Sequence, residues 1–79
     1  MFYYTYVLRS RKDGDLYTGW TNDLQSRLKR HNSGKVVSTK NRNPLILEYY
    51  EACRNKNQAI KREKYFKTGF GRSFLKTRM

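Results

Sequence analysis

The chain has 79 residues, with eighteen Lys and Arg against six Asp and Glu, a net charge of +12, and seven tyrosines. A chain of this length makes one small domain with a modest core, and a surface this basic repels itself, which points to a polyanion as partner. Its longest apolar run, Leu45-Ile46-Leu47, falls far short of the ~18 residues of a membrane-spanning helix, and one cysteine excludes both an internal disulfide and a thiolate zinc site.

In chain order, residues 2–9 (FYYTYVLR) are aromatic and β-branched and predict a strand whose Phe2, Tyr4 and Tyr6 share a face. The N-terminus MFYYTYVLRS has neither the basic region nor the small-residue cleavage site of a secretory leader, so none is expected. KDGD at 12–15 predicts a turn, and LYTGW at 16–20 the returning strand. Gly19 marks a bend or a close backbone approach, and Trp20 beside it suits core filling better than base stacking. Asn22 is then expected to cap a helix, with Gln25 completing a capping box and Asp23 complementing the helix dipole. Leu24 and Leu28 face the core, and Gly34 ends the helix. KVVSTKNRN at 35–43 is a basic connection, followed by PLILEYYEA at 44–52 as the third strand with Pro44 at its start. Cys53, at that strand's end, reads as a small hydrophobe in a reducing cytoplasm. A second helix is expected over 56–68 with Gly69 as its stop, and the tail GRSFLKTRM adds a short helix that packs Phe74 and Leu75. The order ββαβαα predicts an α+β fold, a small three-stranded antiparallel sheet flanked by helices, as one domain over residues 1–79.

Two spacings carry chemistry. Arg27 and His31, the only histidine, are four apart and therefore neighbours on the first helix, beside the Leu24–Leu28 stripe. They either border the sheet or belong to a solvated basic face with Lys29 and Arg30. On the second helix Glu63 shares a stripe with Ala59 and Phe66. A carboxylate on the core side is costly unless a cation pairs with it. Lys67 at i+4 is one such cation. Mg²⁺, which takes one or two carboxylates and keeps several waters, is the other.

Taken together, these residues resemble the GIY-YIG endonuclease domain, and most closely its short stand-alone bacterial members. Tyr4-Thr5-Tyr6 stands at the first motif and Tyr17-Thr18-Gly19 at the second. TNDLQSRLKRH is similar to the family's helix with an arginine and a histidine four apart, and AIKREKYFK to the helix that supplies a metal-binding glutamate. The chain departs from the pattern in having Tyr4 for a glycine, Thr18 for an isoleucine, and no asparagine after Asn57.

The resemblance implies that Glu63 holds one divalent ion, Mg²⁺ or Mn²⁺, and that Tyr6 and Tyr17 flank a scissile phosphate. One tyrosine would activate the attacking water, Tyr6 by slight preference, and Arg27 would stabilise charge on the phosphate. His31 would hydrogen-bond a tyrosine or the phosphate. A phenol titrates near pH ~10, so Arg27 and the metal would have to lower it. Lys35, Lys40, Arg42, Lys61 and Lys64 are candidates to grip nucleic acid, DNA ahead of RNA. With no second DNA-binding domain, a protein partner is a candidate source of substrate selection. A non-catalytic nucleic-acid-binding module on the same fold is the alternative, with a ribosome-associated basic protein behind it.

Overall fold

Tyr3–Ser10 (β1) is the middle strand of the sheet in a computed structural model that describes all residues 1–79. It takes that place because its middle is uncharged on both faces: Thr5 and Val7 on one side, Tyr6 and Leu8 on the other, are all buried. Leu16–Thr21 (β2) pairs antiparallel with one edge of β1, and Leu45–Cys53 (β3) with the other, giving the order β2-β1-β3. Three helices complete the expected ββαβαα arrangement: Leu24–Asn32 (α1), Lys56–Phe66 (α2) and Gly69–Lys76 (α3).

The sheet separates two small cores. Tyr6, Leu8 and Leu45, with Tyr17, Leu24, Leu28 and Leu47 against them, lie under α1. Val7, Phe66 and Leu75, with Leu16, Tyr49 and Phe74, lie under α2 and α3. Leu47 and Tyr49 are two residues apart yet serve opposite cores. Val7 pairs with Tyr49 and Leu8 with Leu47, so Glu48 is bulged out of the ladder and reaches Arg9 at 2.9 Å. One extra residue in a strand reverses which face the next residues meet.

Two helix boundaries differ from the sequence expectation. Asp23, not Asn22, caps α1: its backbone is extended (φ −144°) and its carboxylate accepts from Ser26 N at 3.1 Å. Thr21 Oγ1 accepts in turn from Asp23 N at 3.1 Å, which fixes the approach to the cap and leaves Gln25 exposed with no box to close. The other end behaves as expected. Gly34 turns at φ +76°, its N–H donates to His31 O at 3.2 Å, and Lys35 N donates to Arg30 O at 3.0 Å, the paired bonds of a glycine-terminated helix.

The second helix stops at Phe66, short of Thr68, and Gly69 opens α3 instead of closing α2. Thr68 caps the new helix by accepting from Gly71 N at 3.1 Å. Gly71 then lies so close to α2 that an added Cβ would sit on the Tyr65 carbonyl, 2.6 Å from its carbon and 2.7 Å from Phe66 Cα. Backbone cannot yield as a flexible side chain can. Gly71→Ala is therefore expected to cost about 3 kcal/mol and lower Tm by roughly 10–20 °C in a thermal melt followed by circular dichroism. An unchanged Tm would mean that α3 is not held where it lies. The same corner is bound by Arg62, whose guanidinium takes both Glu51 oxygens at 2.8 and 3.0 Å and stacks on Phe66 and Phe74, 4.8 and 4.7 Å from their centroids.

Candidate active site

Tyr6 points from β1 across Gly19 of β2, so closely that a Cβ at position 19 would lie 2.5 Å from the phenolic oxygen and 2.7 Å from the ring carbon bearing it. The close approach expected of Gly19 is thus an approach to Tyr6. Beyond the glycine the Tyr6 hydroxyl meets α1. His31 Nε2 is 2.9 Å away, and Arg27 Nε donates to the oxygen at 3.4 Å. The helix periodicity that puts Arg27 and His31 on one face is what lets both reach one phenol.

His31 is fully buried, with its Nδ1 2.7 Å from Thr39 Oγ1. Its ring is set edge-on to both tyrosines, 5.7 Å from the Tyr6 centroid and 5.1 Å from that of Tyr17. The Tyr17 hydroxyl accepts from Ser38 Oγ at 3.4 Å. The structure therefore brings Tyr6, Tyr17, Arg27 and His31 together, and rejects a merely solvated basic face for the last two. Thr39 and Ser38 had no signal in the sequence, because a buried threonine in a polar, basic connection looks like any other loop residue.

The charges follow from burial. Removal from water, helped by the Arg27 charge, lowers the His31 pKa to about 4, so the imidazole is neutral at pH 7. The neutral ring donates from one nitrogen and accepts at the other. Tyr6 O–H donating to Nε2 and Nδ1–H donating to Thr39 satisfies every group while Arg27 donates to the phenol. Burial raises the pKa of Tyr6. The Arg27 hydrogen bond and charge pull it down, and the charges of Tyr17 and Glu63 push it up. The lowering expected from Arg27 is present, but burial outweighs it.

A pH dependence follows. His31 is protonated more readily unfolded, where it titrates near ~6.5, than folded. Its contribution to stability is therefore complete above that value and is lost as the pH falls toward about 4. The loss is expected to reach on the order of 2–3 kcal/mol, and it is checked by urea unfolding between pH 7 and 4 with the single imidazole followed by NMR. A His31 that titrates above pH ~6 would contradict its burial.

Glu63 lies on the Ala59–Phe66 stripe, as the spacing predicted, with its side chain 18% exposed. Lys67 Nζ pairs with it at 3.1 Å. Its charge is felt at Tyr6, so the carboxylate lies within electrostatic reach of the phenol. No cluster of three or more His, Cys, Asp or Glu side chains gathers anywhere, so Glu63 is not part of a many-ligand metal cage. A single carboxylate suits Mg²⁺ or Mn²⁺, hard ions that accept sparse protein ligation and keep several waters. Lys67, half exposed, is free to swing aside.

Two clefts open beside these residues. One, of 290 Å³, is walled by Tyr17 and Thr18 of β2, Phe66 and Lys67 at the end of α2, and Arg72 and Leu75 of α3. The other lies between Trp20 and Arg27. Trp20 joins neither apolar cluster, contrary to the core role expected of it, and carries Lys56 Nζ 5.5 Å from its ring centroid. Of the expected phosphate contacts, Lys35, Lys40, Lys61 and Lys64 are exposed and outside the ion pairs. Arg42 is not free. Its guanidinium grips Asp13 at 2.7 and 3.3 Å, tying the hairpin turn to the 35–43 connection and holding the Asp13 carboxyl down to about 2. Arg72 and Lys67 were not among the expected contacts, since a terminal basic helix shows no distinctive spacing.

Comparison with known proteins bears on the family and the fold. Residues 2–76 match the family model described as the GIY-YIG catalytic domain. A UPF0213 protein of Clostridium perfringens is 48% identical over 65 residues, which are 81% of this chain and 69% of that one. A UPF0213 protein of Bacillus pumilus is 49% identical over 67 residues, 84% of this chain and 67% of its own. The fold is similar to the solution NMR structure of a UPF0213 protein from Bacillus halodurans. The TM-score is 0.60 at 34% identity, covering 98% of this chain and 84% of that chain.

Proposed function

The chain belongs to the GIY-YIG catalytic domain family, a nuclease family whose substrate is nucleic acid, and on that premise we propose that it is a divalent-metal-dependent endonuclease hydrolysing phosphodiester bonds in DNA. The observation that carries the reading is the Tyr6 hydroxyl held between a cationic guanidinium and a neutral imidazole, with Glu63 within electrostatic reach. A structural tyrosine needs only one partner. Arg27 and a proton acceptor on the same phenol suit an oxygen that gives up its proton.

Hydrolysis requires a water to attack phosphorus while the 3′ oxygen leaves. In the proposed step Tyr6 takes a proton from the attacking water as its own proton passes to His31 Nε2. Charge on the pentacovalent phosphate falls beside Arg27, whose fork of N–H donors matches phosphate oxygens. The imidazolium that forms is disfavoured in the free protein, and the negative phosphate beside it offsets that cost. Bound by Glu63, Mg²⁺ or Mn²⁺ would supply Lewis acidity for the leaving oxygen. Tyr17, against His31 and facing the open cleft, positions the phosphate or its water. The finer reading is a cytoplasmic enzyme acting at branched, flapped or single-stranded sites in repair or recombination, with selection by the domain itself or a protein partner. The net charge of +12 supports the nucleic-acid partner that this reading requires.

The test is incubation with labelled duplex, flapped, four-way and single-stranded DNA in Mg²⁺, Mn²⁺ or EDTA. Cleavage only with metal is the expected result, and the preferred structure is read from the same gel. Binding without cleavage on every substrate and metal would replace the enzyme with the non-catalytic module. Affinity for duplex DNA, measured with EDTA, is expected to fall with salt by roughly 0.9 in the log–log slope per phosphate contacted. A flat dependence would remove nucleic acid as the partner.

A further inference from the structure

We propose that the cleft between the outer edge of β2 and the α2–α3 corner is a phosphate subsite for the nucleic-acid strand. Lys67 and Arg72 are its contacts, and Lys67 leaves Glu63 to make its own. Strand binding therefore uncovers the carboxylate that holds the metal. The metal half rests on the nuclease reading. The phosphate half stands whatever the chain does to the strand.

The charge distribution points there first. Asp13, Glu48, Glu51 and Glu63 are ion-paired with Arg42, Arg9, Arg62 and Lys67, whereas Arg72 is exposed and in no such pair. The wall of the cleft therefore holds two cations, Lys67 and Arg72, and no acid, and a phosphodiester brings the negative charge that the wall lacks. Tyr17 is the shared wall. It faces this cleft and touches the His31 ring, so a strand seated on Lys67 and Arg72 continues past Tyr17 into the site. β2 is an edge strand, with no further strand to block that path.

The second half follows from the Glu63–Lys67 pair. As it stands, Lys67 occupies the carboxylate at 3.1 Å, and a divalent ion arriving there meets an ammonium. An i,i+4 pair with a side chain 55% exposed is weak and yields readily to a better anion. A phosphate in the cleft is that anion. Two ligands whose sites share one mobile side chain are coupled, and the coupling is reciprocal.

The experiment has two readouts, neither of them cleavage. Binding of a fluorescent single-stranded 12-mer is followed by anisotropy in EDTA across a salt series, for the wild type and for Arg72→Gln and Arg72→Lys. Binding of Mn²⁺ to DNA-free protein is followed by electron paramagnetic resonance for the wild type, Lys67→Gln and Glu63→Gln. Arg72→Gln is expected to weaken strand binding several-fold and to reduce the salt slope by about one, with Arg72→Lys restoring the slope. Lys67→Gln is expected to bind Mn²⁺ about threefold tighter or more, and Glu63→Gln to lose that binding. An unchanged slope in Arg72→Gln overturns the subsite. Unchanged Mn²⁺ affinity in Lys67→Gln overturns the release of Glu63. Strand binding that responds to Arg72→Gln in a chain that never cuts supports the subsite and removes only the nuclease reading. Lys67 and Arg72 are exposed and Glu63 is half-buried, so circular dichroism of each variant checks that the fold is kept.

Discussion

Glu63→Gln is expected to lower metal-dependent cleavage by about a thousandfold or more, while strand affinity in EDTA changes by no more than about twofold. The substitution keeps the shape of the side chain and removes its charge. Glu63 belongs to no group of three or more His, Cys, Asp or Glu side chains that could share a metal, and four of the other five acids are engaged elsewhere. Asp13, Glu48 and Glu51 are in ion pairs of their own and Asp23 caps α1. Stability should barely move, since an i,i+4 pair whose lysine is half exposed contributes only a few tenths of a kcal/mol. One side effect runs the other way. The Glu63 charge helps raise the Tyr6 pKa, so its removal makes the phenol easier to ionise. A loss of activity in Glu63→Gln is therefore not the result of a phenol made harder to ionise, and the metal is the route expected for it. Cleavage that survives the substitution would end the ligand assignment, and a collapse of strand affinity would make Glu63 a structural residue.

The sequence announced those parts of the site that depend on a period. Four-residue spacing on α1 put Arg27 and His31 side by side, and the same arithmetic put Glu63 on the buried stripe of α2. Alternation put Tyr4 and Tyr6 on one face of β1. The parts that depend on contact across the chain were silent. Thr39, eight residues beyond His31 in a basic loop, is recognisable only once the loop folds back over the imidazole. Gly71 lies inside a helix because α2 passes too close for any side chain, so glycine there signals proximity, while Gly69, which reads as a helix stop, opens α3. Arg42 looked like any other cation in a basic segment until the hairpin turn brought Asp13 to it. The bulge at Glu48 broke the alternation that strand reading relies on. The burial that raises the Tyr6 pKa was likewise a property of the assembled core, where Gly19 makes room for the ring.

That burial sharpens the choice between the two tyrosines. Tyr6→Phe is expected to reduce kcat by about 10²–10⁴, the range for loss of a positioned acid or base, with KM little changed. Tyr17→Phe is expected to raise KM and to lower kcat less. Tyr6 is 1% exposed and titrates high, so it is a poor base on its own. What fits it for the role is the neutral Nε2 at 2.9 Å, which can accept the phenolic proton as the water gives up its own. Tyr17 lies at the cleft wall, and the hydrogen bond found at its hydroxyl comes from Ser38, a donor and not a base, at a long 3.4 Å. Tyr6→Phe also strips His31 of a partner and is expected to cost about 1–2 kcal/mol of stability, so kcat must be measured well below the variant's Tm. The pH profile then separates the roles. If His31 takes the proton, the rate falls on the acid side as the buried imidazole becomes charged, and that limb disappears in Tyr6→Phe. If the limb persists there and is lost in Tyr17→Phe, Tyr17 is the base and Tyr6 serves to hold the histidine.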